Sequence, residues 1–379
     1  MGNADILYCG EYTGFAGGIE RYAYQTALRL RESGCRVDWC GCRSERGEAL
    51  FRSGFDSVFL AEELRNGTAA YDLVVLHKLP SAPFLKLLRE RFGERVVFLA
   101  HDHDLYCPRR HYYTPFGRIN CRRAYAPARC GICSRITSPR NWRNAGPDRS
   151  ALLKEFRSLH TAVLSRFMKE NLMRNGFREE RIHLLPPVIE ALPSPRENGD
   201  DATLDLLFLG QLIRGKGADL MLKALARLEK IPWRALVAGD GNDRAMLEAL
   251  ARRLGIADRV RFSGWADDPE SCFACSDAAV FPSRWQEPFG LAGAEALAHG
   301  LPVAAFDTGG VREWLEDGVS GFIVPERDVA ALAERLERFY REPALRKRMG
   351  KAGMETVRRR FSPERFREAV EHLLEVTAS

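Results

Sequence analysis

The sequence lacks any apolar segment long enough to cross a membrane. Spanning a bilayer takes about 18 to 20 consecutive apolar residues, and no run in the 379-residue chain approaches that length. The first residues, Met1-Gly-Asn-Ala-Asp-Ile, also lack the basic start of a secretory signal peptide. We therefore expect a cytoplasmic protein whose ten cysteines are reduced thiols or metal ligands rather than disulfides.

Acidic residues are missing from one long stretch, Leu105 to Pro147. It holds nine arginines and no Asp or Glu, whereas the whole chain carries a net charge of only +6. The rest of the chain is therefore net acidic. Such a segment favours an anionic neighbour: lipid headgroups, a phosphate-bearing acceptor or nucleic acid. A solvated basic loop without a partner is the alternative.

The same stretch contains four cysteines with the spacing C-x13-C-x8-C-x2-C: Cys107, Cys121, Cys130 and Cys133. This spacing lies within the range of tetrahedral zinc sites, and a loop that long inside a compact domain is usually functional or held by a metal. We predict a structural zinc ion bound by these thiolates. Because only the last pair has the tight CxxC spacing, a disulfide or free thiols remain alternatives.

Strand-like apolar runs alternate with helical segments along most of the chain, which predicts βα units and two doubly wound parallel sheets. A hinge is expected at Pro186-Pro187 and the polar stretch 192–201. We predict domains at 1–187 (with an Arg- and Cys-rich insertion at 105–147) and 188–360, and a last helix in 361–379. The predicted strands lie at 5–9, 36–40, 72–76, 96–100 and 161–164, then at 204–209, 234–238, 260–262, 278–281 and 302–306.

Two acids, Glu287 and Glu295, bracket the start of a predicted helix in the second half. A helix N-terminus favours an anion such as a diphosphate. Leu291 to Gly300 contains almost nothing polar, so we expect Glu295 to be buried and to accept both hydroxyls of a ribose. The pattern indicates a site for a nucleotide diphosphate that carries another group.

Glu-x7-Glu after Val280-Phe281-Pro282, together with the loop Phe208 to Gly217, resembles the retaining glycosyltransferases of family four. Gly17-Gly18 and His101-Asp102 extend the resemblance over nearly the whole chain. His-Asp-x4-Cys-Pro-Arg resembles a subset with clustered cysteines. The resemblance implies the GT-B fold, with two Rossmann-like domains facing across a cleft and a last helix that crosses back onto the first domain.

The resemblance also implies a reaction. A sugar would move from a nucleotide-diphosphate sugar to a glycan or lipid-linked acceptor, as in the synthesis of bacterial cell-surface polysaccharide or lipopolysaccharide, without a catalytic metal. The acceptor would bind the first domain, where the arginine-rich segment could meet an anionic membrane surface. We therefore expect the protein to lie in the cytoplasm, peripherally on the inner face of the cell membrane.

Roles follow from the resemblance residue by residue. Lys216 would stabilise the departing diphosphate and Glu287 would contact the donor sugar. His101 would meet the sugar or its phosphate, with His103 as a competitor for that role. Position 211 is commonly Arg in the family, where it is paired with the Lys on the diphosphate. Here Gln211 carries no charge. Either Arg214 takes its place, or the site uses a single cation. The other expected ligand-binding residues are Gly17, Gly18, Phe289, Gly290, Leu291 and Glu295.

Other functions are compatible with parts of the pattern. A nucleotide-sugar epimerase or a phosphorylase could use the same fold. Two carboxylates could form the acid/base pair of a glycosidase, although hydrolysis does not need phosphate-binding surroundings. The arginines and the CxxC pair could belong to a zinc-stabilised nucleic-acid-binding protein, a reading that leaves the Glu-x7-Glu half unexplained.

Overall fold

The structure is a computed structural model. It describes residues 3–378 except 67, 79–80, 110–111, 115, 117–118, 138–146, 191–201 and 267. The chain divides into two compact units. The first, which we call the N-terminal unit, consists of Met1–Val188 together with Pro363–Ser379, and the second, the C-terminal unit, is Ile189–Ser362.

The N-terminal unit is built on parallel strands. They are β1 (Asp5–Cys9), β2 (Tyr12–Thr13), β3 (Arg36–Gly41), β4 (Arg43–Ser44), β5 (Ser57–Leu60), β6 (Leu73–Leu76), β7 (Val96–Ala100), β8 (His160–Val163) and β9 (Ile182–Leu184). Seven of them form one sheet in the order β5-β3-β1-β6-β7-β8-β9, and β2 pairs with β4. Every residue of β6 and β7 is buried, as expected for central strands covered on both faces.

Helices cover this sheet in the usual βα alternation. They are α1 (Gly18–Glu32), α2 (Glu48–Ser53), α3 (Ala61–Asn66), α4 (Ala82–Phe92), α5 (Pro127–Thr137), α6 (Pro147–Phe156) and α7 (Arg166–Arg174).

The C-terminal unit has a six-stranded parallel sheet. Its strands are β10 (Leu204–Leu209), β11 (Trp233–Ala238), β12 (Val260–Gly264), β13 (Ala278–Phe281), β14 (Val303–Phe306) and β15 (Gly321–Val324), in the order β12-β11-β10-β13-β14-β15. Its helices are α8 (Ala218–Leu225), α9 (Arg244–Arg253), α10 (Pro269–Ala274), α11 (Leu291–Ala298), α12 (Val329–Arg341) and α13 (Pro343–Arg360). The last helix of the chain, α14 (Pro363–Thr377), belongs to the N-terminal unit, where it contacts β6 and β9.

Each sheet has one point where the strand order reverses. In the N-terminal unit it lies between β1 and β6, and in the C-terminal unit between β10 and β13. Open α/β sheets bind ligands beyond the carboxyl ends of the strands at such points. The segments after β1, β6, β10 and β13 are therefore where sites are expected.

The predicted α/β architecture of two doubly wound sheets is confirmed. Between β14 and β15 the chain forms a short 3-10 turn, Gly309–Glu313. One local expectation is wrong. Glu295 is partly exposed rather than buried, because α11 buries its other face through Gly293, Ala294 and Leu297. Within the part of the chain that the structure describes, no helix combines the length and apolarity needed to cross a membrane.

Candidate active site

Lys216 and Glu287 meet at the switch point of the C-terminal unit. Lys216 lies in the loop after β10 and Glu287 in the loop after β13, and the Nζ of Lys216 is 2.7 Å from Oε1 of Glu287. Gly217 permits this approach: its φ is +73°, and a Cβ there would lie 1.9 Å from the carbonyl oxygen of Pro282. The structure thus brings the predicted cation and carboxylate into direct contact.

Glu287 is 5% exposed and is held by two further donors. Its Oε1 also accepts from Oγ of Ser283 at 2.7 Å and from Nε1 of Trp285 at 2.6 Å. The Lys216 ammonium lies 5.3 Å from the centre of the Trp285 ring. A buried carboxylate needs such partners. Neither Ser283 nor Trp285 was predicted from the sequence, although both lie in the short segment between the end of β13 and Glu287.

A second ion pair ties the same two loops together. Arg284 donates through both guanidinium Nη atoms to the carboxylate of Asp219 in the first turn of α8, and also to the carbonyl oxygen of Arg214. Burial alone would raise the pKa of Asp219, but Arg284 holds that pKa below its ordinary value. The side chains of Gln211 and Arg214 are exposed at the outer edge of this loop.

The start of α11 offers open hydrogen-bonding groups. Gly290 caps the helix with a φ of +95°, a conformation that favours glycine. Within the described residues, the backbone N–H groups of Phe289, Gly290 and Leu291 have no acceptor. The carboxylate of Glu295, one turn beyond Leu291 on the same helix face, likewise has no partner in the described chain. One helix therefore presents N–H donors and a carboxylate acceptor.

In the N-terminal unit, Gly17 caps α1, and Glu20 lies in the first turn of this helix. Burial raises the pKa of Glu20, and the backbone N–H groups of Glu20 and Gly17 oppose this rise in part. A Cβ on Gly18 would meet no atom within 4 Å. The space in front of this helix start is open.

His101 follows β7 and contacts a second histidine, His77, that follows the neighbouring strand β6. Nδ1 of His77 is 3.0 Å from Nε2 of His101, and the two ring planes are inclined by only 18° with centroids 5.2 Å apart. Burial lowers the pKa of His77 well below its ordinary value and that of His101 to about 3. The competitor His103 is buried, with its Nδ1 2.6 Å from the Tyr106 hydroxyl. Of the two candidates, His101 is the more exposed.

Lys78, next to His77, binds two carboxylates. Its Nζ is 2.6 Å from Oδ2 of Asp102 and 2.7 Å from Oδ2 of Asp104. Burial would lower the pKa of Lys78, but the two carboxylates outweigh burial and raise it. Burial alone would raise the pKa of Asp102, but the charge of Lys78 outweighs burial and lowers the pKa of Asp102. This cluster was not predicted from the sequence, although an Asp-x-Asp pattern just after an apolar strand could have indicated it.

In the described chain, none of the four cysteines of the predicted zinc site forms a disulfide. Burial raises the pKa of Cys107 to about 11. The sulfur of Cys130 accepts from the N–H of Ala126 at 3.4 Å, and that of Cys133 lies 3.9 Å from Nη1 of Arg109. The described residues contain no group of three or more His, Cys, Asp or Glu that could hold a metal ion. The structure therefore does not support the zinc site.

Sequence comparison finds two family matches that together cover nearly the whole chain. Residues 16–191 match the family described as Glycosyltransferase Family 4, and residues 194–356 match the family described as Glycosyl transferases group 1. The boundary between these matches falls close to the boundary between the two compact units.

Individual relatives match over shorter stretches. The chain is 34% identical over 170 residues to the lipopolysaccharide core biosynthesis glycosyltransferase LpsE of Rhizobium meliloti, which is 45% of this chain and 49% of LpsE. It is 31% identical over 192 residues to the putative glycosyltransferase EpsD of Bacillus subtilis, which is 50% of each protein. The chain thus spans about half the length of the curated relatives it matches.

Solved structures share the fold over its full length. The crystal structure of Anabaena HepE in complex with UDP and glucose superimposes with a TM-score of 0.75, covering 98% of this chain and 100% of HepE at 18% identity. That identity is low enough for the likeness to concern the fold alone. Two family matches, two doubly wound parallel sheets and this superposition agree: the chain belongs to the glycosyltransferases of the GT-B fold.

Proposed function

We propose that this protein is a retaining glycosyltransferase that takes a hexose from a nucleotide-diphosphate sugar. The observation that carries the proposal is the contact between Lys216 and Glu287 at the switch point, beside the open N–H groups at the start of α11. Breaking the bond between the sugar and the diphosphate leaves negative charge on the departing oxygen. A cation and helix N–H groups aimed at that charge lower the barrier.

The roles we propose in the C-terminal unit follow from these contacts. Lys216 moves from Glu287 to the diphosphate when the donor binds, and Glu287 then accepts from hydroxyls of the sugar. The N–H groups of Phe289, Gly290 and Leu291 bind phosphate oxygens. Glu295 accepts from the ribose hydroxyls, since its carboxylate is partly exposed and has no partner in the described chain.

We further propose that the two halves divide the substrates, with residues 188–360 binding the donor and 1–187 the acceptor. In the first half, His101 contacts the sugar or its phosphate, and Gly17 and Gly18 leave room for a ligand at the start of α1. The open space in front of Gly18 supports this role. Because Gln211 carries no charge, Arg214 is the second cation available to the diphosphate in this loop.

A ligand screen and a product analysis test the proposal. Thermal shifts with UDP, GDP, ADP and their sugars should identify one base, because a ligand at 100 times its Kd stabilises the folded protein by about 2.7 kcal/mol. With the matching donor, proton NMR of the product should show the anomeric configuration of the donor. Inversion would refute the retaining mechanism, and conversion of the donor without any acceptor would favour an epimerase. No shift with any nucleotide would refute the donor site.

We propose an anionic, membrane-held acceptor, such as a polyprenyl-diphosphate glycan or a lipopolysaccharide core. LpsE acts in lipopolysaccharide core biosynthesis. In this chain the acid-free segment 105–147 also exposes large apolar side chains, which suit the boundary between headgroups and acyl chains. They are Phe116, Ile119, Ile132 and Ile136, with exposed fractions between 51% and 73%. Ile132 and Ile136 are four residues apart on α5 and share one helix face.

Vesicle binding tests this surface. Each arginine near an anionic surface contributes about 1 kcal/mol to the free energy of membrane binding. Salt screens this attraction, so binding to vesicles with anionic lipid should occur at low salt and be lost by about 0.5 M salt. Replacing Arg122, Arg123 and Arg129 with Ser should weaken it and leave nucleotide binding unchanged. A matched control removes the same charge from the C-terminal unit, at Arg227, Arg252 and Arg253, which are also exposed. Equal losses in both triple variants, or equal binding to neutral vesicles, would refute this surface.

A further inference from the structure

His77 and His101 share a single hydrogen. Their facing nitrogens, Nδ1 of His77 and Nε2 of His101, are 3.0 Å apart, a hydrogen-bond distance. Burial keeps both rings neutral at pH 7 by lowering their pKa values. A neutral imidazole carries its proton on one nitrogen only. One ring must therefore donate and the other accept, and the choice fixes which nitrogen of His101 is left to meet a ligand.

The surroundings of His77 decide between the two arrangements. Its other nitrogen, Nε2, is buried without a hydrogen-bond partner in the described chain, and the ring is enclosed by Tyr8, Tyr22 and Trp39, whose centroids lie 4.5, 6.1 and 5.9 Å away. The Tyr22 hydroxyl and the Trp39 indole N–H are also buried and unpaired in the described chain. The indole N–H can only donate, whereas the tyrosine hydroxyl can donate or accept. A proton on Nε2 of His77 would add another donor without a partner in the described chain, which is costly, whereas a bare nitrogen supplies an acceptor.

We infer that His77 is a positioning residue: it donates from Nδ1 to Nε2 of His101 and so holds the His101 proton on Nδ1. In this tautomer His101 presents an N–H donor. Among the described residues Nδ1 of His101 has no partner, and its side chain is partly exposed. The donor is thus available to an oxygen of a bound ligand, a sugar hydroxyl or a phosphate oxygen. The identity of that ligand rests on the function proposed above, and the position of the proton does not.

The position of the proton can be measured directly. In two-bond 1H–15N correlation spectra of the full chain with 15N-labelled histidine at pH 7, His101 should show a protonated Nδ1 and a bare Nε2. His77→Asn should preserve this tautomer, since the asparagine amide nitrogen takes the place of Nδ1. His77→Phe keeps a ring against His101 but removes the donor, so the His101 proton should redistribute to Nε2.

A second histidine pair in the same unit provides the matched control. Nδ1 of His160 is 2.9 Å from Nε2 of His183. His160 begins strand β8, whereas His101 follows the end of strand β7, so the two pairs lie at opposite ends of the parallel strands. His183→Phe breaks an equivalent hydrogen bond and should leave the His101 tautomer unchanged. In transfer assays, His77→Phe should lower kcat/KM by about tenfold, the effect of one lost hydrogen bond, with recovery in His77→Asn and no loss in His183→Phe.

Two results would overturn the inference. One is a His101 proton on Nε2 in the unaltered protein, a result that needs no variant and holds even if His77→Phe fails to fold. The other is an unchanged His101 tautomer in folded His77→Phe. A protein that shows the expected tautomer but transfers no sugar would refute the proposed function alone.

Discussion

Replacing Lys216 with Met should destabilise the C-terminal unit and slow catalysis for two separable reasons. Lys216 is 24% exposed and pairs with Glu287, whose side chain is 6% exposed. Removing one partner of a buried ion pair typically costs 3 to 5 kcal/mol, because it leaves an uncompensated charge. Ser283 and Trp285 still donate to Glu287, so we expect the lower end, about 3 kcal/mol.

The catalytic loss comes from charge that develops on the diphosphate. Losing one donor that meets this charge should lower kcat by at least about 100-fold, which corresponds to ~2.7 kcal/mol. A second change separates the two effects. In the Lys216→Met background, Glu287→Gln removes the buried charge and should recover about 2 of the lost 3 kcal/mol of stability, while activity stays low.

Urea unfolding and initial transfer rates measure both quantities. Lys223 offers a matched control: it is 48% exposed and lies 3.8 Å from Asp219, so Lys223→Met should change stability by less than about 1 kcal/mol and leave kcat unaltered. A Lys216→Met variant as stable as the parent protein would show that the ion pair does not stabilise the unit, and so would a further loss of stability on adding Glu287→Gln. Normal turnover by Lys216→Met would transfer the cationic role to Arg214.

Three further outcomes follow from contacts in the two units. Glu295→Ala should weaken binding of the free nucleotide by ~1.5 to 3 kcal/mol in calorimetry, and unchanged affinity in a folded variant would remove Glu295 from the site. Lys78→Met leaves Asp102 and Asp104 unneutralised and should lower the free energy of unfolding by about 2 kcal/mol in urea. The matched control, Lys86→Met at an exposed position on α4, should lower it by less than ~0.5 kcal/mol. Equal losses in the two variants would contradict the contact between Lys78 and the two carboxylates. Burial lowers the pKa values of the four histidines in the two pairs, His77 with His101 and His160 with His183. The unfolded chain therefore binds more protons below pH 6.5, so stability should be complete above that pH and fall toward pH 4, by up to ~1.4 kcal/mol per pH unit for each histidine; a flat profile would refute the neutral pairs.

The sequence predicted the architecture well because parallel sheets have a strong local signature. Continuous apolar runs such as Leu73–Leu76 and Val96–Ala100 need no tertiary information to be recognised. Burial within a helix was harder to foresee: Glu295 looked buried because its neighbours are small and apolar, yet those neighbours pack one face only. When nearly every residue of a helix is apolar, the composition does not show which face of the helix is buried.

The site was predictable in its long-range outline and not in its detail. The resemblance implied that Lys216 and Glu287 both meet the donor, and both residues follow strands at one edge of a sheet. Their direct contact, and the donors Ser283 and Trp285, depend on side-chain orientation in loops, which residue types do not determine. The same holds for Lys78 and His77, since histidine and lysine after a strand are more often solvated than paired.

Helix α14 makes the N-terminal unit discontinuous along the chain. The unit is made of two segments, Met1–Val188 and Pro363–Ser379, with the whole C-terminal unit encoded between them. Phe366, Val370 and Leu373 of α14 are buried, so the first segment exposes apolar surface until α14 is translated. During synthesis the C-terminal unit can complete its core first, and the N-terminal unit completes its core only when α14 is available. A fragment ending at residue 188 would therefore lack part of its own core, whereas residues 189–362 form an unbroken segment suited to independent expression.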